Sequence, residues 1–420
     1  GTHSLAGVQT KGIQTLDIQD FTNAGVVTYD VALMDGLTAV SLSASGADGD
    51  VTVSNLTKVT DASMKNGTGD LTLTYTTAAV AGTADTQNLT LSNVSAGSFD
   101  ADGIETLTIT SSLVNNVLAA ATGNKLTTVN VAGDKNFTLT AAVVNTITTV
   151  DASAATGKVS VGVATGGDVT GTGGSGDDTI TIAGLTKADT IDGGAGKDTL
   201  KVAGSTTQAF TDHKLSNIET LAVSFAADST VDVKAIDDTV GIALTLTADD
   251  KNITVNNLAA NQTVTMTNDK ANTIELADIA LNLEDDTGLT DQVTVNLAAK
   301  TNIAQLQDLL TIDDAVETFN LNVTGVTTTL LATTVTSLIA DGAKTINITG
   351  AGNLVTTLNQ SGTNVTTLID ASTATGELKI TEAVTNDITI KGSVGKNIIA
   401  MGATLTNKDT ITGGASAKDS

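Results

Sequence analysis

Two phrases concentrate the chemistry of this chain. Gly173–Thr181 reads GGSGDDTIT and Gly193–Lys201 reads GGAGKDTLK. Each sets glycines around a small residue, then an aspartate, then a large aliphatic residue, which is the nonapeptide pattern GGxGxDxUx. Glycine turns can aim backbone carbonyls inward, the aspartate adds a carboxylate, and the aliphatic residue (Ile180 or Leu200) anchors the next short strand. A site built from hard oxygens suits calcium, which accepts about six or more of them at irregular angles. The predicted ligands are the carboxylates of Asp178 and Asp198 and the carbonyls of Gly174, Gly176, Gly194 and Gly196. A glycine-rich hairpin with a solvated aspartate is the plainer reading, and it fits one copy better than two in register.

Stacked β-coils are the elements that would bring these groups together. In a β-roll, successive nonapeptides turn on alternate sides, so every second turn shares an edge. The intervening segment Gly184–Asp192, GLTKADTID, keeps Asp189 and Ile191 without the inner glycines. This spacing predicts that Gly173–Asp178 stacks on Gly193–Asp198, with Asp189 on the opposite edge and a weaker claim to a cation. A worn copy lies near the end of the chain. Gly392–Asn397 reads GSVGKN, with Ser393 for glycine and Asn397 for aspartate, followed by GATLTNKDTIT and GGASAKDS. Asn397 offers an oxygen without charge, and Asp409 and Asp419 are further candidate ligands. The stop inside GGASAKDS leads us to expect that the native polypeptide continues. Acidic turns at ADGD (from Ala47), FDADGIE (from Phe99) and LEDDTGLTDQ (from Leu283) read as solvated loops more than as ion sites.

Composition agrees with such a scaffold. Hydrophobic residues make up 40% of the chain but aromatics only 2%, so a large core must come from Val, Ile, Leu and Ala. Thr, Val and Ile favour strands. With no proline, turns fall to the 40 glycines and to Asn and Asp. The formal charge is −26 and every basic residue is lysine, which argues against nucleic acid as a partner. Acidic excess suits a divalent cation that neutralises mutually repelling carboxylates. No apolar run is long enough for a membrane span, and no signal peptide is visible. Without cysteine there is no disulfide framework.

The chain also repeats itself. IQTLDI at Ile13 returns as IETLAV at Ile218, DVTVSNL at Asp50 as NITVNNL at Asn252, and IETLTIT at Ile104 as VETFNLN at Val316. TTVNVAG at Thr127 is echoed by KTINITG at Lys344, and TTVDASAATG at Thr148 by TTLIDASTATG at Thr366. Five matches in the same order point to a duplication. The expected organisation is a β-rich module over 1–170, the glycine-rich calcium segment over 171–204, a second β-rich module over 205–390, and a degenerate glycine-rich segment over 391–420. Short alternating strands separated by Gly, Asn or Asp suggest a sandwich or a β-solenoid. Stacked aliphatic and threonine columns favour the solenoid, an all-β parallel β-helix or β-roll. Little helix is expected, and NIAQLQDLLTI from Asn302 has the best helical spacing.

With GGSGDDTIT, GGAGKDTLK, the IETL strands and the DAS[AT]ATG phrase on hand, the chain resembles the repeats-in-toxin (RTX) surface-layer proteins of Gram-negative bacteria such as Caulobacter and Campylobacter. The resemblance implies a calcium-dependent two-dimensional lattice on the cell surface, built from copies of the chain. It also implies type I secretion, extracellular localisation, and anchoring to lipopolysaccharide through a domain not seen in this sequence. A calcium-stiffened stalk of a secreted RTX adhesin is the alternative. An enzyme is not expected. A β-helical lyase would want arginine for its uronate, and no Ser–His–Asp set or metal-ligand His pair can be drawn around His213.

Overall fold

A computed structural model describes residues 9–414 except 22–24, 47–48, 144–145, 165–166, 204–206, 211–212, 235, 237–239, 249–250, 269–277, 286, 289, 299–305, 325–331, 361–365, 383–385 and 403–404. Among these residues there is no helix; the fold is an all-β parallel solenoid of about 16 turns. The chain divides into two compact units, Gly1–Val202 with His213–Glu219, and Ala203–Asp212 with Thr220–Ser420.

In the first unit, one wall is a ten-stranded parallel sheet running from Thr15–Asp20 through Thr106–Ser112 and Thr149–Ala155 to Lys214–Ser216. The facing wall begins with the five-stranded sheet from Val27–Asp30 to Ala120–Thr122. It continues in the paired strands Asn116–Leu118, Phe137–Leu139, Val159–Val163, Thr179–Ile182 and Thr199–Ala203. The second unit alternates in the same way between strands such as Thr318–Thr324 and Thr345–Thr349 on one wall and Ile253–Leu258 and Leu354–Leu358 on the other.

Alternation explains both walls. In Val159–Val163 the three valines are buried while Ser160 and Gly162 are half-buried on the outer face. Parallel register then stacks like on like: Val161 pairs with Ile180 and Ile180 with Leu200. Each such fully buried aliphatic side chain contributes about 1.5–3 kcal/mol. Five of the six phenylalanines, Phe99, Phe137, Phe210, Phe225 and Phe319, are fully buried, whereas Phe21 is exposed. Outer positions form polar ladders along the coils, as where Asn347 Nδ2 donates to Asn320 Oδ1 at 2.9 Å and Asn322 Nδ2 to Asn296 Oδ1 at 3.0 Å.

The matched segments DVTVSNL and NITVNNL fold alike in detail. Each breaks register with its neighbour, between Val53 and Leu56 and between Val255 and Leu258. Each does so at an asparagine in the left-handed region, Asn55 at φ 62° and Asn257 at φ 60°. Asparagine tolerates that conformation better than most residues.

One expectation is overturned. The segment read as a helix from Asn302 contains the strand Leu306–Ile312, paired in parallel on both sides with Asp278–Leu283 and Thr333–Ala340. Its apolar residues fit a helical spacing, but Leu310 and Ile312 also alternate, and both are buried. Two neighbouring coils satisfy its backbone, which outweighs a local preference.

Candidate metal centre

The glycine-rich edge of the first unit is made by three consecutive coils. The strand Thr170–Thr172 enters the first turn and Thr190–Asp192 the second, while Lys214–Ser216 leads to Asn217 and Glu219 in the third. The first two turns stack closely. A Cβ on Gly173 would lie 2.0 Å from the Gly193 carbonyl oxygen, and one on Gly194 would lie 2.2 Å from that of Gly174. Gly176 O would sit 2.4 Å from a Cβ on Gly196, and Gly174 O also accepts the Ala195 N–H at 2.9 Å. Only glycine permits this approach, and Gly194 and Gly196 also need positive φ, at 91° and 136°.

Asp178 and Asp198 are carried inward by the turns and are 2% and 1% exposed. Each reaches toward the preceding coil. Asp178 Oδ1 accepts the Val159 N–H at 2.7 Å, and its Oδ2 accepts the Gly174 N–H at 2.5 Å. Asp198 Oδ1 accepts the Asp178 N–H at 2.6 Å. Asp198 Oδ2 is buried and has no hydrogen-bond partner among the described residues. The donor that would match Gly174, the Gly194 N–H, turns instead to Asp192 Oδ1 at 3.1 Å.

Burial raises the Asp178 carboxyl above its usual range, against the bonds from Val159 and Gly174. Burial also raises Asp198, to about 6, helped by the negative charges of Asp178, Glu219 and Asp177. A carboxylate disfavoured in this way is one that a cation would stabilise.

The residues fit a calcium ion by three tests. The donors are all oxygens, one buried carboxylate oxygen is orphaned, and glycine lets carbonyl oxygens of adjacent turns approach more closely than any Cβ would allow. Among the described residues no three carboxylate or imidazole side chains converge on one point, so most of a shell here would be carbonyls and water.

The remaining predicted residues are placed differently. Asp189 lies on the opposite edge, 1% exposed, with its oxygens on the Val169 N–H (2.7 Å) and the Thr186 N–H (2.6 Å). Asp409 repeats this corner in the second unit, accepting from Ile388 at 2.9 Å and Thr406 at 2.6 Å, and these backbone bonds lower its carboxyl. Both aspartates tie a T-x-x-D corner to the coil beside it. Asn397 is buried, and its Oδ1 accepts the Ser393 N–H at 2.7 Å while its Nδ2 donates to the Ser393 and Gly395 carbonyls, each at 2.9 Å. Asp419 lies outside the described residues, as do residues 47–48 of the ADGD turn. In FDADGIE, Asp100 Oδ1 accepts from Thr122 Oγ1 at 2.5 Å and Asp102 Oδ1 from the Asn124 N–H at 2.9 Å.

Sequence reasoning missed Glu219, whose Oε2 accepts the Asp198 N–H at 2.5 Å while its own N–H donates to the Asp198 carbonyl at 3.0 Å. The same reciprocal step joins Asp85 to Glu105 and Asp291 to Glu317. The signal was present, since all three glutamates stand in the repeated [IV]ET phrase, but it read as strand rather than as ligand. No protein-family model matches the chain, and no curated protein matches it.

Proposed function

We propose that the chain is a structural surface-layer protein that assembles into a calcium-dependent two-dimensional lattice on a bacterial cell surface. The observation that carries this reading is the glycine-rich edge. Two buried aspartates stand one coil apart at turns whose close approach only glycine permits, and among the described residues neither forms an ion pair. A repetitive parallel scaffold with such an edge is suited to bearing load and presenting flat walls. On this reading the protein is exported by type I secretion and held at the surface through lipopolysaccharide by a further domain; it is not an enzyme.

Charge makes calcium the controlling variable. At −26 per chain, neighbouring copies repel one another across the Debye distance of roughly 8–10 Å in physiological salt. Sodium screens that repulsion but neither bridges carboxylates nor stiffens glycine turns. Magnesium dehydrates reluctantly and wants a tighter octahedron than these turns provide. Light scattering and electron microscopy of the purified protein across calcium, magnesium and sodium titrations test the reading. Ordered sheets appearing with calcium alone are the expected result. Single rods that persist in millimolar calcium would overturn it in favour of the adhesin stalk, which the one-directional stacking of coils within each unit also suits.

A further inference from the structure

The third coil of the glycine-rich edge has no GGxGxD turn, yet it meets the second as the second meets the first. A Cβ on Gly193 would lie 1.8 Å from the Asn217 carbonyl oxygen and 2.8 Å from Asp198 Oδ2. The matching point one coil earlier, at Gly173, lies 2.0 Å from the Gly193 carbonyl and 2.8 Å from Asp178 Oδ2. Asn217 thus stands where a third glycine would. Its left-handed backbone, φ 52°, belongs to the geometry that presents the carbonyl, and its Nδ2 is held by Asp192 Oδ1 at 2.7 Å. The two points differ in one respect. At the first, the carboxylate oxygen already takes an N–H; at the second, Asp198 Oδ2 is buried and unpartnered.

We propose that this step is a second divalent-cation site, in which Asp198 Oδ2, the Asn217 carbonyl and the Glu219 carboxylate take calcium in place of a third glycine-rich turn. Glu219 spends Oε2 on the Asp198 N–H, and among the described residues its Oε1 takes no hydrogen bond. Calcium would convert an orphaned buried oxygen into a ligand and neutralise a run of three acids on successive coils, Asp178, Asp198 and Glu219.

Two other corners sharpen the assignment. Asp85 and Asp291 also leave Oδ2 buried without a partner and donate N–H to a glutamate at 2.9 Å. At the first of these, Lys125 Nζ sits 3.4 Å from Glu105 Oε1, so an ammonium supplies the positive charge. At both, the atoms nearest a Cβ on the adjacent glycine, Gly82 or Gly288, belong only to the aspartate itself. Of these three glycines, only Gly193 has a carbonyl of a neighbouring coil among the atoms nearest its Cβ.

This site rests on the reading that the glycine-rich edge takes calcium, so its test must separate the two. Calcium is titrated calorimetrically into the full chain and into Glu219→Gln, Asp178→Asn and Glu105→Gln. Glutamine keeps an oxygen for the Asp198 N–H, so the backbone step survives while the charge is lost. The expected result is that Glu219→Gln loses one calcium equivalent, or binds it at least tenfold more weakly, while Glu105→Gln matches the parent. Glu219→Asp, which keeps the charge on a shorter arm, should retain the stoichiometry with weaker binding. A parent-like isotherm for Glu219→Gln overturns the second site. If Asp178→Asn is altered at the same time, the edge still takes calcium without Glu219. If none of the chains binds calcium, both readings fall together.

Discussion

Two glycine-bearing corners answer the same packing problem with opposite electrostatics. At Asp198 a carboxylate is drawn into the coil, one oxygen caps the N–H of the coil before it, and the other is left bare. At Asn397 an amide occupies the corresponding place, and every polar atom finds a partner within its own turn. The coil preceding Asn397 does not need the side chain either, because the Leu378 N–H bonds to the Lys396 carbonyl at 2.8 Å. The equivalent N–H in the first unit, that of Val159, depends on the Asp178 carboxylate. Replacing Asp by Asn therefore changes the turn from one that leaves a carboxylate oxygen bare to one completed by its own NH2 group. A sequence comparison registers only a lost charge; the hydrogen bonds show a gained donor.

The strongest way to break this comparison is to reverse it. Asn397→Asp removes both N–H donors and leaves the Ser393 and Gly395 carbonyls facing a buried charge. An unmet buried group costs about 1–3 kcal/mol, and a buried unpaired charge adds to that. We expect the calcium-free protein to lose about 3 kcal/mol or more, measured by urea denaturation, with part of the loss recovered on adding calcium. An unchanged midpoint without calcium would mean that the amide bonds are incidental.

The opposite exchange should have a smaller effect of opposite sign. Asp198→Asn keeps an oxygen for the Asp178 N–H and replaces the bare, charged Oδ2 with a donor beside the Asn217 carbonyl. Without calcium this variant should be more stable than the parent by about 1–2 kcal/mol, the scale of one satisfied buried hydrogen bond. In saturating calcium the order should invert, because the parent alone retains the carboxylate ligand. Thermal melts with calcium and with chelator give both comparisons. Equal melting shifts on calcium addition in parent and variant would remove Asp198 from any site.

How much of this was legible in the sequence follows from the range over which each feature acts. Alternating strands, the stacking of Gly173–Asp178 on Gly193–Asp198, and the separate edge for Asp189 could be read because coil length fixes them locally. The strand at Leu306–Ile312 was misread because its alternation competes with an equally good helical spacing, and only neighbouring coils decide between them. The roles of Asn217 and Glu219 were hidden for a related reason. Both act on a residue one coil earlier, and neither belongs to a glycine-rich motif. Asn397 was read as a weakened ligand because sequence shows what its oxygen lost, not where its NH2 group points.

Acid titration is the finest probe of the same contrast, because one corner titrates and the other cannot. In the fold Asp198 is raised to about 6 by burial and by the charges of Asp178, Glu219 and Asp177, whereas an unfolded aspartate titrates at about 3.9. A raised carboxyl binds its proton more tightly in the folded state. Its contribution to stability is therefore complete below about pH 4 and is lost as pH rises through about 6. Asp178 is raised too and adds the same sign. Asp370 works the other way: Lys391 and Ser372 hold it down at about 2, so its contribution is present above about pH 4 and lost only below that. Between about pH 4 and 6 the buried aspartates of the glycine-rich edge should dominate this pair of effects. The calcium-free protein should accordingly melt a few degrees higher at pH 5 than at pH 7. Asp198→Asn should flatten that rise, and Asn397→Gln should leave its slope intact whatever it does to overall stability. In calcium the dependence should reverse, since protons then compete with the ion for the carboxylate. A slope that survives Asp198→Asn undiminished would place the titrating group elsewhere and dissolve the contrast between the two corners.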